Sequence, residues 1–335
     1  MKERMASKPK IHVVGMGGTI AGVGATATTA AYESGQVDTS DLMAMVEGLD
    51  QLADVKSETL FTSGSENLGP KHWQKLACRI EELVESPEVD GVVVTHGTDT
   101  LEETAWFLDL AGSWRKPVVI VGAMRASTAL SADGPANLYQ GVCVCAASTA
   151  AGRGVLVVMA GLVLSGWRAV KTSSEALTAF QVYPGGAVGQ VIGNSVLFHQ
   201  SSEAGPLSGR FADVVRSEQA LPVIGIEYCA GSCGAVDSLR WPRGPGMGLV
   251  VAAFGSGGVP DALAESLSDY AASGASVVIS SRVAGVLVLP ETMTLIEKEN
   301  VVAARYLNPQ KAAALLSLIL ADGSSPQSTF EALYT

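Results

Sequence analysis

Short, nearly uninterrupted runs of valine, isoleucine and other aliphatic residues recur along this chain, and stretches of helical character separate them. The runs at 11–15, 91–95, 118–122 and 155–159 read as strands buried on both faces, and 72–84 and 101–110 read as helices between them. Strand–helix alternation of this kind implies a parallel sheet joined by crossovers. A second set of strands is expected at 223–228, 249–254 and 276–280, with a helix at 309–320. Between the two sets, 201–221 is polar, with scattered glycine, proline and charge, and reads as a linker. The expected fold is therefore α/β, with a larger N-terminal domain over 1–200 built on a mostly parallel sheet. A smaller C-terminal parallel α/β domain follows over 222–335.

Composition narrows the partners. The 335 residues are 47% hydrophobic and only 16% charged, against about 25% charged in an ordinary globular domain. Such a chain suits a doubly covered sheet or a subunit that buries much surface in an oligomer. The net charge is −11 and basic residues do not cluster, so neither a nucleic acid nor an anionic membrane surface is an expected partner. The apolar run at 154–164 falls short of the roughly 18 residues that span a bilayer. Five cysteines make an odd count for a disulfide framework, and neither Cys143/Cys145 nor Cys229/Cys233 has an ordinary zinc spacing, so buried free thiols are expected and no metal. The segment after Lys2, Glu3, Arg4, Lys8 and Lys10 is broken by glycines and is not read as a cleaved leader. The expected compartment is the cytoplasm, or the periplasm if a signal peptide has been removed.

In open α/β sheets the reactive residues gather beyond the carboxyl ends of the strands. The first strand ends in Gly17-Gly18-Thr19, the second in Thr95-His96-Gly97-Thr98-Asp99-Thr100, and the third in Gly122-Ala123-Met124-Arg125. Hydroxyls, a carboxylate and glycines therefore stand at adjoining edges. Gly22-Val23-Gly24-Ala25-Thr26-Ala27 matches the dinucleotide pattern GxGxxA, but it lies several residues past its strand in an Ala/Thr-rich stretch and is set aside. His12, His72, His96 and His199 show no metal spacing, and His96 reads as hydrogen-bonded scaffolding. No organic cofactor is expected.

Amide hydrolysis needs a nucleophile, a proton acceptor and donors for the tetrahedral oxyanion. Thr19 follows two glycines, so the backbone is free to turn tightly and admit a substrate carbonyl. Tyr32 lies within reach if its loop folds down as a lid. Thr98, Asp99 and Lys171 supply a second hydroxyl, a carboxylate and an amine, and burial of Lys171 would favour its neutral form as a base. Against this, a Gly-Gly-Thr after a strand is often only a turn or a cap, and a lone lysine is usually solvated.

Taken together, Gly17-Gly18-Thr19-Ile20-Ala21-Gly22, Thr95-His96-Gly97-Thr98-Asp99-Thr100, Gly122-Ala123-Met124-Arg125, Ser131-Ala132-Asp133-Gly134-Pro135, Val170-Lys171-Thr172 and Leu307-Asn308-Pro309-Gln310-Lys311-Ala312 resemble the motifs of the bacterial-type L-asparaginases and glutaminase-asparaginases, in that family's order and spacing. The resemblance implies an amidohydrolase acting on asparagine, with lower activity on glutamine. It implies Thr19 as the nucleophile that forms an acyl-enzyme, with Tyr32 as its partner and with Thr98 and Lys171 as the second polar group. Asp99 would grip the substrate's α-amino group, Ser65 and Glu66 its α-carboxylate and α-amino groups, and Ala123 would offer its carbonyl to the scissile amide. Gly18 joins the substrate-binding residues, and Glu291 is assigned as the glutamate that a neighbouring subunit contributes within a homotetramer of twofold dimers.

Some positions depart from the family pattern. Met16 stands where threonine is common, and Gly258 where an asparagine or serine usually reaches in from the adjacent subunit. The segment after Arg282 differs in length, which bears on Glu291. Two rival readings are a glutaminase-first enzyme and an amino-acid-binding sensor that has lost catalysis. Intact Thr19, Tyr32, Thr98, Asp99 and Lys171 argue against the sensor.

Overall fold

The chain's strands fall where aliphatic runs meet breaker residues. In this computed structural model, which describes residues 7–28, 31–200, 204–231, 241–295 and 299–333, β1 (Lys10–Gly15) is followed by a short hairpin, β2 (Val23–Gly24) and β3 (Tyr32–Glu33). Helices α1 (Thr39–Ala44) and α2 (Leu49–Leu52) lead to β4 (Asp54–Thr59), α3 (Pro70–Glu85) to β5 (Gly91–Thr95), α4 (Leu101–Ala111) to β6 (Val118–Val121) and α5 (Gly134–Ala146) to β7 (Val155–Met159). Strands β8 (Leu162–Ser165), β9 (Ala169–Lys171), β10 (Phe180–Val182), β11 (Gly189–Ile192) and β12 (Ser195–Phe198) follow. The main sheet has eight strands in the order β12-β11-β8-β7-β6-β5-β1-β4. From β4 to β7 neighbouring strands run parallel, whereas β8, β11 and β12 add antiparallel.

Every residue of β5, β6 and β7 is buried, as a strand covered on both faces requires. On one face Val93, Val119, Val121 and Val158 pack with Leu138, Val142 and Val144 of α5. Helices α3 and α4 belong to the other side, where Trp73 meets Phe107 at 5.5 Å between ring centroids. The antiparallel extension turns at Ala160-Gly161, both at positive φ. Ala160 holds this unfavourable conformation because its N–H donates to Asn137 Oδ1 at 2.9 Å and the next N–H donates to Gln140 Oε1 at 3.0 Å. Side chains of α5 thus do the work that a glycine-rich hairpin turn does by itself.

The chain divides into two compact units, Met1–Gly209 and Arg210–Thr335. The region expected as a linker over 201–221 is shared between them. Gly205 N–H donates to the buried carboxylate of Asp109 at 3.0 Å and so belongs with the first unit. A short helix, α6 (Ala212–Arg216), opens the second. Residues 201–203 of that region lie outside the described residues.

The second unit carries a four-stranded parallel sheet of β13 (Gly225–Tyr228), β14 (Gly248–Ala253), β15 (Ser276–Ser281) and β16 (Val301–Ala303), in that order. Helix α7 (Asp261–Ala272) packs Leu263, Leu267 and Tyr270 against Val251, Val277 and Ile279. Helix α8 (Pro309–Asp322) has a full set of punctuation. Asn308 accepts the Lys311 N–H at 3.1 Å, Pro309 occupies the first turn and Gly323 closes the end at φ +70°, the arrangement that satisfies orphan backbone groups at both termini. A last helix, α9 (Pro326–Glu331), completes the chain's elements. Among the described residues no helix is long and apolar enough to cross a membrane.

The fold class matches the sequence expectation, and each of the seven expected strands is found within two residues of its expected bounds. The GxGxxA match proves to be a hairpin rather than a strand–helix turn, since Gly24 pairs with Tyr32 across β2 and β3.

Candidate active site

The site lies at the carboxyl edge of the first unit's parallel strands, where the loops after β1 and β5 meet. Gly17 and Gly18 both adopt φ +82°. A Cβ on Gly18 would stand 2.2 Å from the Cα of Gly97, so only a glycine admits this approach. The two loops touch at this glycine pair, which sets the residue after one beside the residue after the other. Thr19 is buried, 5% exposed, and its Oγ1 shares a 2.8 Å hydrogen bond with the Tyr32 hydroxyl. Tyr32 rides on β3, and its ring lies against Gly22, where a Cβ would approach it to 2.8 Å.

The second cluster forms after β5. Lys171 Nζ donates to Thr98 Oγ1 at 2.9 Å and forms a 2.6 Å ion pair with Asp99 Oδ1. The Asp99 side chain is 61% exposed while that of Lys171 is 17% exposed, so the carboxylate remains open to a ligand on its other side. Ser65 is buried; its hydroxyl accepts the Asp99 N–H at 3.2 Å, and its carbonyl accepts from Thr100 Oγ1 at 2.8 Å. The Ser65 hydroxyl proton is thereby left available to a further acceptor. His96 is fully buried, and its Nδ1–H donates to Gly97 O at 2.7 Å while Nε2 accepts from Thr104 Oγ1 at 2.9 Å. Burial pushes its pKa down to about 4, so it is neutral scaffolding near pH 7.

Thr19, Tyr32, Thr98, Asp99 and Lys171 line one cavity of about 400 Å³, together with Ala27, Thr28, Arg125, Leu130 and Glu175 among others. Five of the residues expected from sequence are therefore brought to one place. Ser65, Gly18 and Ala123 stand behind this wall. Ala123 is buried, and the next two amides donate to the Asp133 carboxylate at 2.9–3.1 Å. Glu66 is exposed, folds back over Gly64 and accepts from Asn67 Nδ2 at 3.2 Å. Glu291 stands exposed in the second unit, in the turn Pro290–Thr292, and Gly258 closes a bridge with Phe254 there.

The β2–β3 hairpin is tied down by the segment after β6. Ser127 N–H and Oγ both donate to Gly22 O, at 2.9 and 2.7 Å; Gly24 N–H donates to Thr128 Oγ1 at 2.8 Å, and Leu130 N–H to Ala27 O at 2.8 Å. Arg125, Leu130 and Glu175 were not singled out as site residues in sequence, because exposed loop positions show no pattern until the chain folds back on itself.

Two family models match. The description "Asparaginase, N-terminal" fits residues 10–204, and "Glutaminase/Asparaginase C-terminal domain" fits 244–333. The chain belongs to the asparaginase family. Its relatives in that family include a probable periplasmic L-asparaginase of Haemophilus influenzae, 38% identical over 96% of this chain and 91% of that one. L-asparaginase 2 of Escherichia coli is 37% identical over 95% and 91%, and a glutaminase-asparaginase of Pseudomonas fluorescens is 36% identical over 92% and 86%. Among solved structures, a probable cytoplasmic L-asparaginase from Campylobacter jejuni superposes with a TM-score of 0.87 at 34% identity, covering 98% of this chain and 99% of that one. Family members thus include proteins named for both compartments.

Burial makes Cys143 and Cys145 poor nucleophiles. Cys78, Cys143, Cys145 and Cys229 form no disulfide with one another, and burial pushes the Cys143 thiol up to about 11 and the Cys145 thiol further in the same direction. Cys233, considered above with Cys229, lies outside the described residues. Among the described residues, no group of three or more His, Cys, Asp or Glu side chains is placed to hold a metal ion.

Proposed function

We propose that this asparaginase-family protein hydrolyses the side-chain amide of L-asparagine to aspartate and ammonia through an acyl-enzyme on Thr19, and acts more slowly on glutamine. The observation that carries this reading is a cavity walled by two hydroxyls, each already engaged by its own polar partner. Thr19 Oγ1 attacks the amide carbon, and its proton leaves along the hydrogen bond to Tyr32. As that proton reaches the Tyr32 oxygen, the Tyr32 hydroxyl proton passes on to the departing nitrogen and leaves Tyr32 neutral, while Thr98, whose oxygen accepts from Lys171 Nζ, keeps its hydroxyl proton as a hydrogen bond to the substrate amide. Ammonia leaves, a water attacks the threonyl ester, and aspartate and free Thr19 are regenerated. Asp99, half open to solvent, takes the substrate's α-ammonium group, with Ser65 and Glu66 beside it and the Ala123 carbonyl facing the amide.

In this reading the catalytic groups belong to the N-terminal domain. We further propose a homotetramer in which a neighbour's Glu291 completes each site, and a cytoplasmic location, in keeping with the buried thiols of Cys143 and Cys145.

The test is Thr19→Ala. Turnover of asparagine should fall by at least about a thousandfold, while calorimetry should still detect aspartate binding, since the α-substituent contacts lie on other residues. Near-normal ammonia release from that variant would sink the assignment.

A further inference from the structure

We propose that Glu102 is a positioning residue for the amidase reaction, its buried carboxylate fixing the strand that carries Lys171 against the helix whose leading loop carries Thr98 and Asp99. The idea rests on the site reading given above and adds to it a residue outside the cavity wall.

Glu102 lies in the first turn of α4, which begins directly after Thr98-Asp99-Thr100. It is 3% exposed. A carboxylate is costly to bury unless hydrogen bonds hold it. One of those bonds is to the site: Oε2 accepts the backbone N–H of Lys171 at 3.2 Å.

The direction of that N–H follows from the ladder. Among the described residues strand β9 pairs only with β10, antiparallel, with Lys171 opposite Phe180. Thr172 N–H points inward, donating to Ala179 O at 2.8 Å. Successive amides along a strand alternate, so the Lys171 N–H points outward from the two-stranded ladder. The Glu102 carboxylate takes the place of a missing third strand there.

Residue 171 is consequently fastened to the 98–102 stretch at both ends. Its backbone is held by Glu102, and its Nζ reaches Thr98 Oγ1 and Asp99 Oδ1. A lysine has a long, freely rotating stem. Fixing its Cα confines the ammonium to a small volume, and misplacement of a reacting group by about 1 Å costs on the order of a hundredfold in rate. A second role for the same carboxylate is to complement the positive end of α4. That role depends on its charge, whereas the positioning role depends on an acceptor atom.

The experiment measures kcat and KM for asparagine in E102M, E102Q, K171M and K171M/E102M, with a thermal melt of each. E102M removes the acceptor at similar length and should lower kcat by roughly thirty- to a hundredfold with KM changed by less than about threefold. E102Q offers a carbonyl oxygen in the same place and should recover most of the loss. On the K171M background E102M should cost nothing further, because a residue that acts through Lys171 has no effect once the amine is gone. Wild-type kcat in E102M overturns the proposal. So does an E102Q as slow as E102M, or an E102M that slows K171M as much as it slows wild type. A fully active K171M would overturn the site reading itself, and with it this role; an inactive K171M beside an active E102M would overturn the role alone. Should E102M fail to fold, E102D withdraws the acceptor by one methylene while keeping the charge, and carries the same expectation at about a tenfold loss.

Discussion

At the scale of single residues, substrate choice turns on how firmly the α-carbon end is held. Glutamine carries its amide one methylene further out, and such a difference is normally worth only about 1–3 kcal/mol of discrimination. Glu66 is joined to Asp99 through its neighbour, since Ser65 Oγ accepts the Asp99 N–H, and its carboxylate is exposed and accepts from Asn67 Nδ2. A swing away from Gly64 would place a second negative charge beside the substrate's ammonium group. Glu66→Gln should therefore lower kcat/KM for glutamine by about three- to tenfold more than for asparagine. Equal losses on both substrates would remove Glu66 from any part in selectivity. Thr19, Thr98 and Asp99 stood out in the sequence because reactive side chains at strand ends have a known place in open α/β sheets, whereas Lys171 stood out only through its family motif. Glu102 was not, because its link to Lys171 spans 69 positions and ends on a backbone amide, which has no sequence signature.

At the scale of elements, the site depends on two loops approaching more closely than side chains allow. Gly18 holds φ +82°, and Gly97 lies where its Cβ would be. Gly18→Ala would have to push the β1 loop from the β5 loop, and Thr19 would move with it. Asparagine turnover should drop by more than about a hundredfold, with a lower melting temperature. An active, equally stable variant would show that the loops give way at no cost. The aliphatic strands were visible because burial on both faces leaves an unbroken run; of the long helices, α3, α4 and α8 were expected and α5 and α7 were not. The antiparallel strands β8, β11 and β12 were not. Their turn at Ala160-Gly161 is held by side chains of α5 rather than by its own residues, and β12 alternates between exposed and half-buried positions. Helix α6 went unseen for another reason: five residues are too few to show a 3.6-residue period.

At the scale of the whole molecule, catalytic groups of the first unit and Glu291 of the second raise the question of which copy completes which site. If each site takes Thr19 from one subunit and Glu291 from a twofold-related neighbour, a Thr19→Ala variant and a Glu291→Gln variant are each inactive for different reasons. Refolding them together would form mixed pairs. In such a pair one site holds both defects, and the other joins an intact Thr19 to an intact Glu291. Random pairing makes half of the dimers mixed, and each regains one of its two sites, so the mixture should recover about a quarter of wild-type activity. Light scattering on the same sample should report a tetramer. Activity that stays at the sum of the two parents would mean that Glu291 serves its own chain or no site at all. Full activity in Glu291→Gln alone would remove it from the reaction, leaving Thr19, Tyr32, Thr98, Asp99 and Lys171 as a site that one subunit holds complete.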